Sequence, residues 1–115
     1  MTIFLKRAYE KSSPADGKRI LVERLWPRGL TKIQAKIDQW PKDIAPSSEL
    51  RKWYNHDPAK WMEFKKRYWA ELDTKKDTTA QIAKEAKNNR VTFVFGSKEE
   101  KYNTATALKE YLETI

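Results

Sequence analysis

A chain of 115 residues with 39% hydrophobic and 35% charged residues has room for one domain, spanning 1–115. Its low mean hydropathy of −0.89 is offset by five Trp, five Tyr and four Phe, large rings that each bury roughly 150–250 Å² and let few residues build a dense core. The formal charge of +8 favours anionic partners, zero Cys and a single His exclude disulfides, thiolate nucleophiles and Cys- or His-rich metal sites, and apolar runs no longer than Ile3–Leu5 or Ile20–Val22 exclude a membrane span.

In chain order, Ile3 to Tyr9 alternates like a strand, and Ser12-Ser13-Pro14-Ala15-Asp16-Gly17 is a turn. Arg19 to Leu25 is a second β-branched run. Thr31 with Gln34 forms a capping box that starts a short helix toward Ile37, and Trp40 to Ala45, bounded by Pro41 and Pro46, is a connection or a short edge strand. Ser47 caps a helix through Tyr54. Asp57-Pro58 opens the longest helix, to about Leu72, with Trp61, Phe64, Tyr68 and Leu72 as its core stripe and Met62 and Trp69 widening it. Thr78 and Gln81 cap a helix that turns Ile82, Ala83 and Ala86 inward and ends near Asn88-Asn89. Val91 to Phe95 is the most strand-like run, closed by Gly96, and a last helix starts at Asn103 or Thr104 and buries Ala105, Leu108 and Leu112. Strands separated by helices predict an α/β fold, a small and mostly parallel sheet with helices packed on its faces. A hairpin between the first two strands is the competing arrangement.

Ligands of open α/β sheets bind at the carboxyl ends of strands. The second strand ends in Arg24-Leu25-Trp26-Pro27-Arg28-Gly29, where two guanidinium forks and an indole face suit a planar or phosphorylated anion. The alternative is that Glu23 and nearby Asp residues pair with these arginines at the surface while Trp26 joins the core. A parallel sheet brings Arg7, after the first strand, and Ser97-Lys98, after the third, to the same edge. Ser97 with Glu100 is itself a capping box, predicting a helical turn whose amides cradle a phosphate. His56, the only imidazole, precedes the long helix, whose positive end disfavours its protonated form, and is the candidate general acid or base. Packing at the helix start is its structural alternative. Arg51 adds charge from the preceding helix, and Asn103 is placed to orient a ligand by hydrogen bonding.

Taken together, Asp16-Gly17 with Arg19, the block Leu21-Val22-Glu23-Arg24-Leu25-Trp26-Pro27-Arg28-Gly29, Ala45-Pro46-Ser47 with Leu50-Arg51, and Trp53-Tyr54-Asn55-His56-Asp57-Pro58 resemble the YeaO-like proteins. So do Trp61, Phe64, Tyr68, Glu71-Leu72, Asn103, Ala105 and Leu108, so that the resemblance covers nearly the whole chain. It implies a small bacterial cytoplasmic protein and carries no assigned activity or catalytic residues. Two positions depart from the family's pattern: Glu23 stands where Asp is usual, and Ser97-Lys98 where small residues are commoner, which weakens Lys98 as a site residue.

The expected function is therefore binding of a small phosphorylated or nucleotide-like anion by Arg7, Arg24, Trp26, Arg28, Arg51 and Asn103, with His56 serving any chemistry, and with neither metal nor cofactor. Nucleic acid is the competing partner. The charge is spread, with 12 basic and 7 acidic residues in 1–58 and 12 and 9 in 59–115. It forms neither tail nor stripe, and Lys60, Lys65, Lys66 and Arg67 on the long helix interleave with Glu63 and Glu71. An interaction module using exposed Trp and Arg is the third candidate.

Overall fold

The computed structural model describes residues 1–115. Three strands, β1 (Ile3–Arg7), β2 (Lys18–Leu21) and β3 (Val91–Phe95), pair in the order β1-β3-β2, all parallel. β3 takes the centre because Val-Thr-Phe-Val-Phe offers apolar side chains to both faces, and all five residues are buried. Phe93 stands opposite Leu5 on one side and Ile20 on the other. The hairpin between the first two strands is excluded, since neither pairs with the other.

The helices are α1 (Lys32–Ala35), α2 (Ser48–Tyr54), α3 (Trp61–Asp73), α4 (Lys76–Asn88) and α5 (Thr104–Glu113). Side-chain caps fix three of their starts: Thr31 reciprocates with Gln34, Ser47 accepts the Leu50 amide, and Asn103 accepts the Thr106 amide. One sheet face meets the main core, where Phe93 and Phe95 pack with Leu50, Trp61, Phe64, Tyr68, Leu72, Ile82, Leu108 and Leu112. On the other face Ala8, Leu21 and Val94 are covered by Trp26, Leu30, Ile37 and Trp40, the two indoles meeting edge-on at 5.5 Å. The period-two alternation of β3 thus feeds two cores of unequal size. None of the helices is long and apolar enough to cross a membrane.

Several local expectations yield to tertiary contacts. β2 stops at Leu21, although Val22 still donates to the Val94 carbonyl, because the chain then turns to form the cleft wall. Trp40 to Ala45 is no strand: a single bridge joins Gln39 to Ile20, and Lys42–Ile44 is a 3-10 turn, so the sheet has three strands. The Thr78–Gln81 box does not form. α4 begins earlier, at Lys76, and the Thr78 hydroxyl donates to Asp43 at 2.8 Å. Asp57-Pro58 opens a 3-10 turn, Pro58–Lys60, that leads into α3. Met62 is 71% exposed and lies outside the core, since it points away from the Trp61–Phe64 stripe, whereas Trp69 does pack, donating its indole N–H to Ala107.

Gly17 opens β2 at φ 64°, where a Cβ would overlap the Arg90 carbonyl oxygen that accepts the Lys18 amide. We expect Gly17→Ala to lose roughly 1–3 kcal/mol from the backbone conformation alone, with the collision adding to it. A denaturant melt unchanged from the parent would contradict this geometry.

Candidate functional site

All three strands deliver their carboxyl ends to one cleft of about 440 Å³. Its walls are the loop Glu23–Arg28 after β2, Gly96 and Ser97 after β3, Pro46 and Arg51 around the start of α2, His56 beyond its end, and Asn103-Thr104 at the start of α5. Tyr54 and Phe64, stacked with centroids 4.2 Å apart, form an aromatic base, and Tyr9 and Leu25 stand at the mouth. This is where the topology of an open parallel sheet places a ligand.

Six of the seven residues singled out from the sequence therefore line the same cleft: Arg24, Trp26, Arg28, Arg51, His56 and Asn103. Arg7 does not. Its Nε donates to the Ser97 carbonyl at 2.9 Å and its guanidinium lies 5.2 Å from the Tyr9 ring centroid, so it braces the rim from outside. Lys98 is also absent from the walls. The expected helical turn at Ser97 is missing because the hydroxyl accepts the Glu99 amide while the Glu99 carboxylate accepts those of Lys101 and Tyr102.

The arginines are not paired with acids. The ion pairs of the protein involve Lys6, Lys18, Arg19, Lys65, Arg67 and Lys109, and none involves Arg24, Arg28 or Arg51. Arg24 reaches only the Pro46 carbonyl, at 3.5 Å, and its Nε is the one buried side-chain nitrogen or oxygen without a hydrogen-bond partner. A buried donor left unsatisfied costs about 1–3 kcal/mol, and such orphans are few in folded proteins.

Trp26 is both core and wall: its Nε1 donates to the Leu30 carbonyl at 2.7 Å, pinning the loop, and the residue also lines the cleft. Asn103 lines the cleft with its amide largely committed, accepting from Thr106 and donating to the Glu99 carbonyl. Its contribution is to hold the start of α5 in place. His56 follows Asn55 in the left-handed region, at φ 54° and 47°. For Asn at a helix end this is ordinary, while for His it costs of order 1 kcal/mol or more. The turn carries the exposed imidazole to Ser97, with Nδ1 3.4 Å from Oγ.

Two wall residues escaped the sequence reading as site groups. Tyr54 donates to the Tyr102 carbonyl, and burial together with the Glu99 and Asp57 charges pushes its phenol up to about 12, so it remains protonated. Glu23 is the only acid in the wall. Burial pushes its carboxyl above 4.5, against the opposing pull of the Gly96 amide, His56, Arg51 and the Ser97 amide. Its position between Val22 and Arg24 was the available signal, but a carboxylate beside arginines reads first as their partner.

A family model described as "Inactive DUF488-N3 subclade" matches residues 2–115. The chain is similar to the uncharacterised protein YeaO of Escherichia coli K12, 36% identical over 115 residues and the full length of both. It is also 50% identical over 66 residues to uncharacterised proteins of Mycobacterium bovis, Mb3100c, and Mycobacterium tuberculosis, Rv3073c, covering 57% of this chain and 56% of theirs. No solved structure matches.

Proposed function

The chain belongs to the YeaO-like family, in the subclade described as inactive DUF488-N3, and from this premise we propose that it is a binding protein for a small phosphorylated or nucleotide-like anion held in the cleft. The observation that carries the reading is the unpaired state of Arg24, Arg28 and Arg51, with Arg24 Nε buried and without an acceptor. Like charges repel, and an oxyanion relieves that repulsion while satisfying the orphaned donor. Arg24 and Arg28 clamp the anion, Arg51 adds charge from α2, Trp26 supports the loop, and the Tyr54–Phe64 base is an apolar surface for an attached group. His56 supplies a hydrogen bond at the rim and is the group best placed for acid or base chemistry. The family's description as inactive favours binding without turnover, in keeping with a chain that has no Cys nucleophile. The ligand is proposed to be met in the cytoplasm.

Thermal shift and tryptophan fluorescence with inorganic phosphate and nucleoside monophosphates test the reading. Ligand at 100 times its dissociation constant stabilises by about 2.7 kcal/mol. Arg24→Ala is expected to weaken binding roughly 10- to 100-fold, the worth of a lost charged hydrogen bond. If parent and variant respond alike, the assignment of Arg24 fails. The end of a nucleic acid presents the same chemistry, and a second arm separates the two: an oligonucleotide preferred over mononucleotides, losing about 0.7–0.9 log units per contacted phosphate for each tenfold rise in salt, would make nucleic acid the partner.

A further inference from the structure

Three arginines alone would accept any tetrahedral oxyanion. Glu23 adds a carboxyl to the same wall, and it forms none of the protein's ion pairs even though Arg51 and His56 are close enough to act on its charge. It lies against the turn after β3, where a Cβ on Gly96 would stand 3.3 Å from Oε2, and its backbone carbonyl is held by the Trp40 indole at 2.7 Å. The groups facing it are Arg51 from α2, His56 from the turn beyond, and the Gly96 and Ser97 amides after β3, while its chain neighbour Arg24 reaches the Pro46 carbonyl.

A carboxylate fixed beside an anion site repels a fully ionised ligand but accepts a hydrogen bond from one that still carries O–H. We propose that Glu23 shares one proton with the bound oxyanion, so that the cleft takes a hydrogenphosphate group in preference to an oxyanion of the same shape with no proton to give. This rests on the cleft being an anion site, and it names the anion. Phosphate brings the shared proton as HPO₄²⁻, whereas sulfate binds only if solvent supplies a proton to Glu23. No covalent bond changes. The raised carboxyl pKa fits a group poised to hold that proton.

Isothermal titration of the full chain with sodium phosphate and sodium sulfate at constant ionic strength, between about pH 6 and pH 8, provides the test. Sulfate affinity should fall close to tenfold per pH unit above the titration of Glu23. Repeating the titration near pH 8 in buffers of different ionisation enthalpy should show about one proton taken up with sulfate and about none with phosphate. Phosphate should then bind more tightly than sulfate, by a ratio that widens with pH as sulfate affinity falls. Glu23→Gln should bring sulfate up to the level of phosphate and flatten its pH dependence. His56→Asn, which keeps a residue tolerant of the left-handed turn, should lower both affinities and leave their ratio standing. Should the ratio collapse in His56→Asn instead, the proton belongs to the imidazole and the inference is overturned. Equal, pH-independent binding of the two anions by the parent overturns the role of Glu23 and leaves the anion site intact, whereas no binding of either overturns both. The slope and proton count for sulfate in the parent need no variant, so misfolding of Glu23→Gln would not remove the test.

Discussion

Phe64→Ala is expected to destabilise the protein by roughly 3–5 kcal/mol, the cost of deleting a buried ring whose cavity the surroundings only partly fill. Phe64 is 1% exposed, stacks on Tyr54 at 4.2 Å, and lies 5.9 Å from both Trp61 and Tyr68. It belongs to the main core and also to the base of the cleft, so the substitution should lower ligand affinity together with stability. Urea unfolding followed by tryptophan fluorescence measures the first effect, and a midpoint within error of the parent would mean that α3 packs through another face. Met62→Ala, two residues back and 71% exposed, should change little.

Removing Asp16 is expected to cost a similar amount, about 3–5 kcal/mol, because it breaks a buried ion pair and strands the surviving charge. Arg19, 3% exposed, donates from its guanidinium to Asp16 at 2.7 Å, and the only other partner of that guanidinium is the Ala35 carbonyl. Lys6 and the Ser13 amide also converge on Asp16. Burial raises the Asp16 pKa, but the hydrogen bonds from Ser13, Lys6 and Arg19 and the Lys6 charge outweigh it, and the carboxyl ends below its ordinary 3.8. The folded state therefore binds fewer protons than the unfolded chain in this range. The contribution is complete above 3.8 and is lost as the pH falls through the lower, folded-state value. Denaturant midpoints taken from neutral pH down to acid should show this loss in the parent and a weaker slope in Asp16→Ala. An identical slope in both would assign the acid sensitivity elsewhere.

Local codes account for the parts of the fold that were legible in the chain. Ser47, Thr31 and Asn103 cap the helices they precede, because a side-chain oxygen within reach of the next free amides needs no distant partner. The Trp61, Phe64, Tyr68 and Leu72 stripe and the five-residue run of β3 were legible for the same reason: periodicity shows which side must be buried without showing against what. The Thr78 and Ser97 signals failed where a competing partner came from elsewhere in the fold or from the neighbouring turn, Asp43 for one and the Glu99 amide for the other.

The candidate site divides along the same line. That Arg24, Arg28, Arg51 and His56 were groups with chemistry to offer followed from residue type and from their places at strand and helix ends. That Arg7 turns away to the Ser97 carbonyl, that Arg24 Nε finds no acceptor, and that Glu23 lines the same cleft as three arginines without pairing to any did not. Those outcomes depend on β1 and β2 both pairing in parallel with β3, which sets Arg7 beside Phe95 and Leu21 beside Val94 and so brings three distant strand ends to one edge. The amino-acid sequence by itself determined the elements and the charged residues at their ends, since both are governed by interactions within a turn or two of chain. Only the tertiary structure decided which of those residues share a cleft, because burying β3 on both faces selects the strand order, and the strand order selects the neighbours.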